Sequence, residues 1–447
     1  MRERVLIIAC LLSCIVFIIT NFFFWTEEFN SSLEFAKSLQ KGGGKPLAYV
    51  FLLITYLGFP IIPCFPLIPI IFSREKWLAY KCAVHISISG YLIGILKIIY
   101  ASPRPWWVDP ELGILDPCQA TDFGRPSGHA FISLFAILFL YKCYIYDHEI
   151  NRYSARIKIN PSDSEDSNNA NRLSAELLDR EIGPAEIAIK TNKTPPSVEY
   201  PESRMDTKKA IWLAVGIVLI ILVGLSRIYL GAHSYEQILL GWSYGMIFYL
   251  GTVYIWNERV ETMFNYFIDG HHRQNFAKIF LFALVIYISC LILPVVLMVI
   301  DKANGDIKQA WVDTIAKTCG GYPELRGIEA MSLYLCVSIA ITFGIIFGLM
   351  FATTNVMRTP EGLNRKQWVL RKLLAIVVYA LIALVFLKLI PIASYYSFFL
   401  VNANMCLLLL LFSACVFVPM LYKKMMLDVG ENYLKIESQP IMETRTP

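Results

Sequence analysis

Long apolar runs separated by shorter polar breaks dominate the chain. A helix needs about 20 mostly apolar residues to cross a bilayer. Ten runs meet or approach that length: 5–25, 48–72, 78–100, 130–146, 210–226, 236–256, 277–300, 330–353, 370–390 and 398–422. The run 48–72 contains "GFPIIPCFPLIP", whose four prolines make it either one kinked span or a re-entrant pair. The run 130–146 is short and extends into its flanks. Inside a bilayer every backbone polar group must find its partner within the protein, which selects helices for such runs. The pattern therefore predicts an all-α fold: a polytopic membrane helical bundle of about ten transmembrane helices.

One polar stretch breaks the pattern. Residues 147–209 are rich in Ser, Asn, Glu and Pro and carry too little apolar surface to fold alone, so they read as a cytosolic linker, with a short helix possible at 172–182. The organisation expected is a signal-anchor helix and lumenal loop over 1–47, a core over 48–256 interrupted by that linker, additional transmembrane helices over 257–422, and a cytosolic tail over 423–447. The first run follows a basic start, "MRER", is long enough to span, and lacks a clean small-residue cleavage site. That favours an anchor over a cleaved signal peptide.

Composition agrees with a membrane chain. The 447 residues are 56% hydrophobic, and the mean hydropathy is +0.53. The net charge of +5 is not a nucleic-acid signal; the placement of the bases matters more. With the N-terminus in the cytosol, segments 1–4, 73–77, 147–209, 257–276, 354–369 and 423–447 are cytosolic and hold most of the Lys and Arg, as the positive-inside rule requires. Of eleven cysteines, Cys118 and Cys319 both fall in non-cytosolic loops, where a disulfide is permitted. The other nine lie within spans. No Cys/His spacing resembles a zinc site, so no metal is expected.

Ionisable groups within or beside spans are costly and point to function. Three clusters stand out, all at the non-cytosolic ends of spans. In "KIIYASPRP", Lys97 lies about one turn inside the membrane, and Arg104 sits between two prolines that end the helix. The pair either brackets an anion or, respectively, snorkels and binds lipid headgroups. The following Trp106 and Trp107 read as an interfacial aromatic belt. In "FGRPSGHAF", Pro126, Ser127 and Gly128 gather free backbone N–H groups at a helix start, an anion receptor geometry, and His129 stands on the first turn. In "SRIYLGAHSYEQ", Arg227 ends one span and His233 follows before the next. Together these residues suit phosphoryl transfer: cations and amides for the oxygens, one imidazole to attack phosphorus and one to protonate the leaving oxygen.

The combination K-x6-RP (Lys97, Arg104-Pro105), PSGH (Pro126 to His129) and SR-x5-H (Ser226-Arg227, His233) resembles, in order and spacing, the three signature motifs of the phosphatidic acid phosphatase type 2 and haloperoxidase superfamily. The resemblance covers roughly residues 78–256. It implies a helical core acting as a phosphatase without metal or other cofactor. Lys97, Arg104 and Arg227 would bind phosphate, Ser127 and Gly128 would add hydrogen bonds, His129 would be the general acid, and His233 the nucleophile that forms a phosphohistidine. Many members carry an Asp four residues after the nucleophile. Gln237 stands there in this chain, as in glucose-6-phosphatases and dolichyl-diphosphate phosphatases. Its carbonyl can accept the imidazole Nδ1–H without adding charge. Gln237 can equally cap the next helix, since Ser234 and Gln237 form S-x-x-Q, and Glu236 offers a nearby carboxylate instead.

"RPWWV", Cys118 shortly before PSGHA, and Gln237 are glucose-6-phosphatase-like; the long linker and extra first span are not. The expected partners are membrane lipids and a phosphorylated lipid, polyprenyl or sugar phosphate substrate, with no nucleic acid. The site is expected on a lumenal or extracellular face, at the endoplasmic reticulum or another endomembrane in preference to the plasma membrane. Two alternatives stand beside hydrolysis: phosphotransfer to a lipid alcohol, and an inactive lipid- or phosphate-binding protein or transporter. The loop 301–329 reads as a plain connection in preference to a lid or specificity element, His271 and His272 as solvated, and His85 as a packing residue.

Overall fold

The computed structural model describes residues 2–57, 76–109, 111–112, 121–142, 207–268, 270–319, 327–351 and scattered positions between 365 and 425. All of these residues that are in regular structure are helical. The helices are α1 (Arg2–Leu57), α2 (Lys76–Tyr100), the single turn α3 (Pro105–Val108), α4 (Gly128–Leu140), α5 (Thr207–Tyr229), α6 (Tyr235–Gly251), α7 (Asn257–Ile268), α8 (Phe276–Asn304), α9 (Gln309–Cys319), α10 (Ile328–Cys336) and α11 (Ile339–Phe351). Among the described residues six helical stretches are long and apolar enough to cross a membrane. Residues 1–136 with 219–447 form one compact unit, and 137–218 a second. The second is described at 137–142 and 207–218. Every residue of the site discussed below belongs to the first.

Of the expected linker 147–209, residues 207–209 begin α5 instead, and 147–206 lie outside the described residues. So do most of the expected spans 370–390 and 398–422, and everything beyond Leu57 in the run 48–72. Elsewhere the structure departs from expectation at four places. The segment 26–47, expected as a loop, continues the first helix, so that α1 is unbroken over 56 residues. Glu27, Glu28, Glu34, Lys37 and Lys41 are good helix formers. Phe29, Ser32, Leu33 and Ala36 are buried on one face, and α1 packs along α6. On the other side, Lys37 pairs with Asp109 at 2.7 Å and Glu111 at 3.3 Å.

The second departure is within 301–329, where α9 replaces a plain connection and buries Trp311 and Ile315. The third follows from it: Trp106 and Trp107 do not form an exposed belt but are buried in α3. Trp107 packs on Trp311 with ring centroids 5.9 Å apart. Fourth, His272 is buried, with Nε2 hydrogen-bonded to the Met350 carbonyl at 3.1 Å, whereas His271 is exposed. His85 is a packing residue as expected, its Nδ1 2.7 Å from the Lys81 carbonyl. Cys319 is disulfide-bonded; its partner lies outside the described residues, as does Cys118.

Small residues let the helices close on one another. A Cβ on Gly90 would meet Ser338 at 2.8 Å, and one on Gly94 would meet Cys336 Sγ at 2.6 Å. This i, i+4 pair therefore seats α2 against the end of α10 and the turn that follows it, the packing device of membrane helices, where lipid tails compete equally for apolar surface. Gly241 and Gly245 do the same for α6 on α4, where a Cβ would meet the Ser127 and Phe131 carbonyls at 2.5 and 2.7 Å. The second contact brings the start of α4 directly beneath the start of α6, and these two starts frame the site.

Candidate functional site

Each motif is placed by the way its helix ends. α2 ends at Tyr100, and Ala101 turns the chain with φ 41°. That left-handed conformation costs a non-glycine residue about 1 kcal/mol or more. The turn lets Ser102 accept from the Gly124 amide at 2.8 Å and swings Arg104 back beside Lys97. α5 ends at Tyr229, and Gly231 adopts φ 71°, the positive value glycine reaches without a Cβ clash. The chain then doubles back, so that the amides of Ala232 and His233 both donate to the Arg227 carbonyl, at 3.0 and 3.2 Å. This reversal is the physical content of the SR-x5-H spacing. Ser127 starts α4: its amide donates to the Gln237 carbonyl at 2.9 Å, and its Oγ receives the Ala130 amide at 3.5 Å. The Lys97 stem lies over Gly128, where a Cβ would be 3.6 Å from Lys97 Cε.

Lys97, Arg104, Arg227 and His233 are each 1–2% exposed, so the charges are out of water and must be paired or solvated by the protein. Three consecutive residues do most of this. Asp122 places one carboxylate oxygen on Arg104 Nη2 and the other 2.9 Å from Lys97 Nζ. The Asp122 carbonyl accepts from Arg104 Nε at 2.7 Å, and the Phe123 carbonyl from Lys97 Nζ. The Gly124 carbonyl meets His233 Nδ1 at 2.8 Å. Gly124 has no room for a side chain, since a Cβ would stand 2.9 Å from the Gln237 amide. Burial alone would push the Asp122 carboxyl up, but Arg104 and Lys97 outweigh it and hold it well below the usual carboxylate range.

The tautomer of His233 follows from its neighbours. Arg104 Nη1 lies 3.1 Å from His233 Nε2, and a guanidinium can only donate. Nε2 therefore carries the lone pair and Nδ1 the proton. That proton faces two acceptors, the Gly124 carbonyl and Gln237 Oε1 at 3.1 Å. Burial, then Arg104, Lys97 and Arg227, hold the ring neutral far below the ordinary histidine value. Gln237 serves both purposes weighed above. Its Oε1 meets His233 Nδ1, and it also closes the capping box with Ser234, whose amide is 3.4 Å from the same oxygen. Its Nε2 is anchored to the Pro103 carbonyl at 2.9 Å.

Glu236 takes no part in orienting the imidazole. It is fully buried, accepts from Ser234 Oγ at 2.9 Å and from Asn21 Nδ2 at 3.3 Å, and lies 3.9 Å from Arg125 Nε. Arg125 in turn donates to Asn21 and stacks over Tyr100 at 4.3 Å. α1 thus braces both loops. Asn21 ties the Arg125 loop to Glu236, Gln40 donates to the Tyr229 carbonyl at 2.9 Å, and Thr55 meets Ser226 Oγ at 2.8 Å and Arg227 Nη1 at 3.5 Å. His129 stands on the first turn of α4 within the electrostatic field of Arg227, Arg104, Asp122 and Lys97.

All eight residues expected from the sequence, Lys97, Arg104, Ser127, Gly128, His129, Arg227, His233 and Gln237, thus belong to one end of the bundle. Asp122 and Gly124 were not anticipated. The available signal for Asp122 was an acid seven residues before His129, between Thr121 and Phe123.

A buried set of cations thus surrounds a neutral, oriented histidine at one end of a helical membrane protein. The family model of the PAP2 superfamily matches residues 78–261. That match supports a PAP2-superfamily core in this stretch, and the superfamily points to phosphatase activity on phosphate esters. No curated protein and no solved structure matches the chain. Asn21, Gln40 and Thr55, which brace the site from α1, lie outside the matched stretch.

If Gln237 orients the imidazole, Gln237→Leu leaves only the Gly124 carbonyl to hold Nδ1–H and removes half of the α6 cap. The expected result is a kcat about tenfold lower with little change in KM, and a loss of about 1 kcal/mol in stability. Steady-state kinetics and thermal unfolding in detergent measure the two.

Proposed function

We propose that the protein is an integral membrane phosphatase that hydrolyses a phosphate monoester through a phosphohistidine at His233, with no metal in the chemical step. The observation that carries this reading is the tautomer of His233. Its Nε2 lone pair points at the guanidinium that would hold the phosphate, while Nδ1–H is held by two carbonyl oxygens. In the first step the Nε2 lone pair forms a bond to phosphorus as the ester P–O bond breaks. His129 gives its proton to the leaving alkoxide. The resulting imidazolium keeps its Nδ1–H on Gly124 and Gln237, whose oxygens stabilise the charge. In the second step His129 takes a proton from water, the water oxygen bonds to phosphorus, and the N–P bond breaks to return neutral His233 and inorganic phosphate. Lys97, Arg104, Arg227, the Ser127 hydroxyl and the Gly128 amide hold the non-bridging oxygens throughout.

An amphiphilic phosphate is the substrate class this reading favours. An apolar cavity of about 450 Å³ lies between α1, α5 and α6, lined by Phe35, Leu225, Ile228, Tyr235, Ile238 and Trp242. Ile228 is next in sequence to Arg227 and Tyr235 is two residues from His233, so an acyl or isoprenoid chain there keeps its phosphate near the histidine. A panel of phosphatidate, sphingosine phosphate, polyprenyl diphosphate and a sugar phosphate, assayed in excess chelator, tests both parts. A kcat/KM highest for a lipid monoester and unaffected by chelator supports the reading. Preference for the sugar phosphate rejects the substrate class, and no turnover of any of the four rejects the activity.

The state of His233 also sets a pH expectation. A group whose folded pKa is depressed stays in its neutral, reactive form until the pH falls through that lowered value. The acid limb of kcat/KM is therefore expected below pH ~6.5, the ordinary histidine value. A pH–rate profile whose acid limb sits at or above that value contradicts the assignment.

A further inference from the structure

Three buried cations, Lys97, Arg104 and Arg227, would repel one another in an empty site. Asp122 offsets one of the three positive charges, and it does so in a particular geometry: its two oxygens bridge Arg104 Nη2 and Lys97 Nζ, as two oxygens of a phosphate would. We propose that Asp122 is a built-in counter-anion that weakens phosphate binding and matches the site to a doubly charged phosphate group. This rests on the reading of the site as a phosphate site.

A donor count supports it. A lysine ammonium has three N–H donors and an arginine guanidinium five. Lys97 directs one at the Phe123 carbonyl and one at Asp122. Arg104 directs Nε at the Asp122 carbonyl, the two hydrogens of Nη1 at the Ala232 carbonyl and His233 Nε2, and one hydrogen of Nη2 at the Asp122 carboxylate. Asp122 thus ties up one donor on each cation that an incoming phosphate would otherwise take. It also lowers the formal charge of the cluster from three to two, the charge of a phosphomonoester dianion. The residue is a positioning and selectivity group rather than a catalytic one: it touches the cations and leaves the reacting atoms to them.

The test is isothermal titration of the purified full-length protein in detergent with inorganic phosphate and with pyrophosphate, at fixed ionic strength. Asp122→Asn keeps the shape and removes the charge. Its Kd for phosphate is expected to fall roughly tenfold, the scale on which one nearby charge acts on an ionised group. The Kd for pyrophosphate is expected to fall further, because the more highly charged ligand gains more. Asp122→Glu, which keeps the charge, is expected to bind phosphate within about threefold of the wild type. If Asp122 merely holds the cations in place, Asp122→Asn binds both anions more weakly, and that result overturns the proposal. So does an Asp122→Glu variant that binds as tightly as Asp122→Asn is expected to. A wild-type protein that binds neither anion overturns the phosphate-site reading itself and the proposal with it. Binding by the wild type without tightening in Asp122→Asn overturns the proposal alone.

Discussion

His233→Ala is expected to lower kcat by roughly 10⁴-fold or more, while the protein still folds and still binds inorganic phosphate. The size of the effect follows from the role. In the proposed mechanism Nε2 is the atom that bonds to phosphorus, and its neighbours Arg104 and Lys97 can only donate, so they offer no replacement lone pair. Retained binding follows from the geometry, because without the imidazole Lys97 is still held by Asp122 and Phe123, and Arg104 by Asp122 and the Ala232 carbonyl. His129→Ala is the control: loss of a general acid costs about 10²–10⁴-fold and leaves the nucleophile in place. The measurement is single-turnover hydrolysis of the best substrate from the panel, with phosphate binding determined on the same preparations. Undiminished turnover by His233→Ala removes the nucleophile from the account.

Arg104→Lys carries the second largest expected effect. Arg104 joins the Asp122 carbonyl, the Asp122 carboxylate, the Ala232 carbonyl and His233 Nε2. It thereby fixes the K-x6-RP loop, the loop before PSGH and the SR-x5-H turn to one another. A planar fork can span these partners; a single ammonium on a flexible stem cannot. Losing an oriented donor from a charge-stabilising site costs about 10²–10³-fold in kcat. Arg104→Lys is expected to lose that much in kcat/KM although the net charge is unchanged. Steady-state kinetics check it, and a loss under tenfold means that charge alone, not the fork, is what the site needs.

The parts of this site that were legible in the sequence are those whose chemistry resides in side chains at short spacing. Lys97 and Arg104 lie either side of a helix end marked by two prolines. Ser127 to His129 make a helix start. Arg227 and His233 bracket Gly231, which turns the chain. Each can be read locally. Asp122, Phe123 and Gly124 hold the same groups largely through their carbonyls, and a carbonyl has no signature in the residue type. Gly124 is equally silent in the sequence, although Gln237 and Pro103 approach it so closely that a Cβ would lie 2.9 and 2.5 Å from them. The bracing by Asn21, Gln40 and Thr55 reaches across 171–215 positions of sequence, or 104 in the case of Arg125, and no local pattern announces such a contact.

The same distinction runs through the fold. The apolar runs identified the helices of the core. Charges misled at 26–47, read as a loop although its Glu and Lys residues favour helix. They misled again in 301–319, where the amphipathic α9 was masked by its polar residues and with it the burial of Trp107 beneath Trp311. Gln237 shows where sequence reasoning reaches its limit. Two roles were compatible with its position, and the structure has its Oε1 facing His233 Nδ1 and the Ser234 amide together, so the roles are not alternatives.

The central claim, covalent catalysis by His233, is tested most directly by rapid quenching. The full-length protein is mixed with substrate carrying radiolabelled phosphorus and stopped with alkali within one turnover. The label should appear on the protein as an acid-labile, alkali-stable phosphoramidate, mapped by mass spectrometry to His233 and absent from His233→Ala. Hydrolysis that proceeds with no labelled protein at any time, or with the label on another residue, contradicts the account.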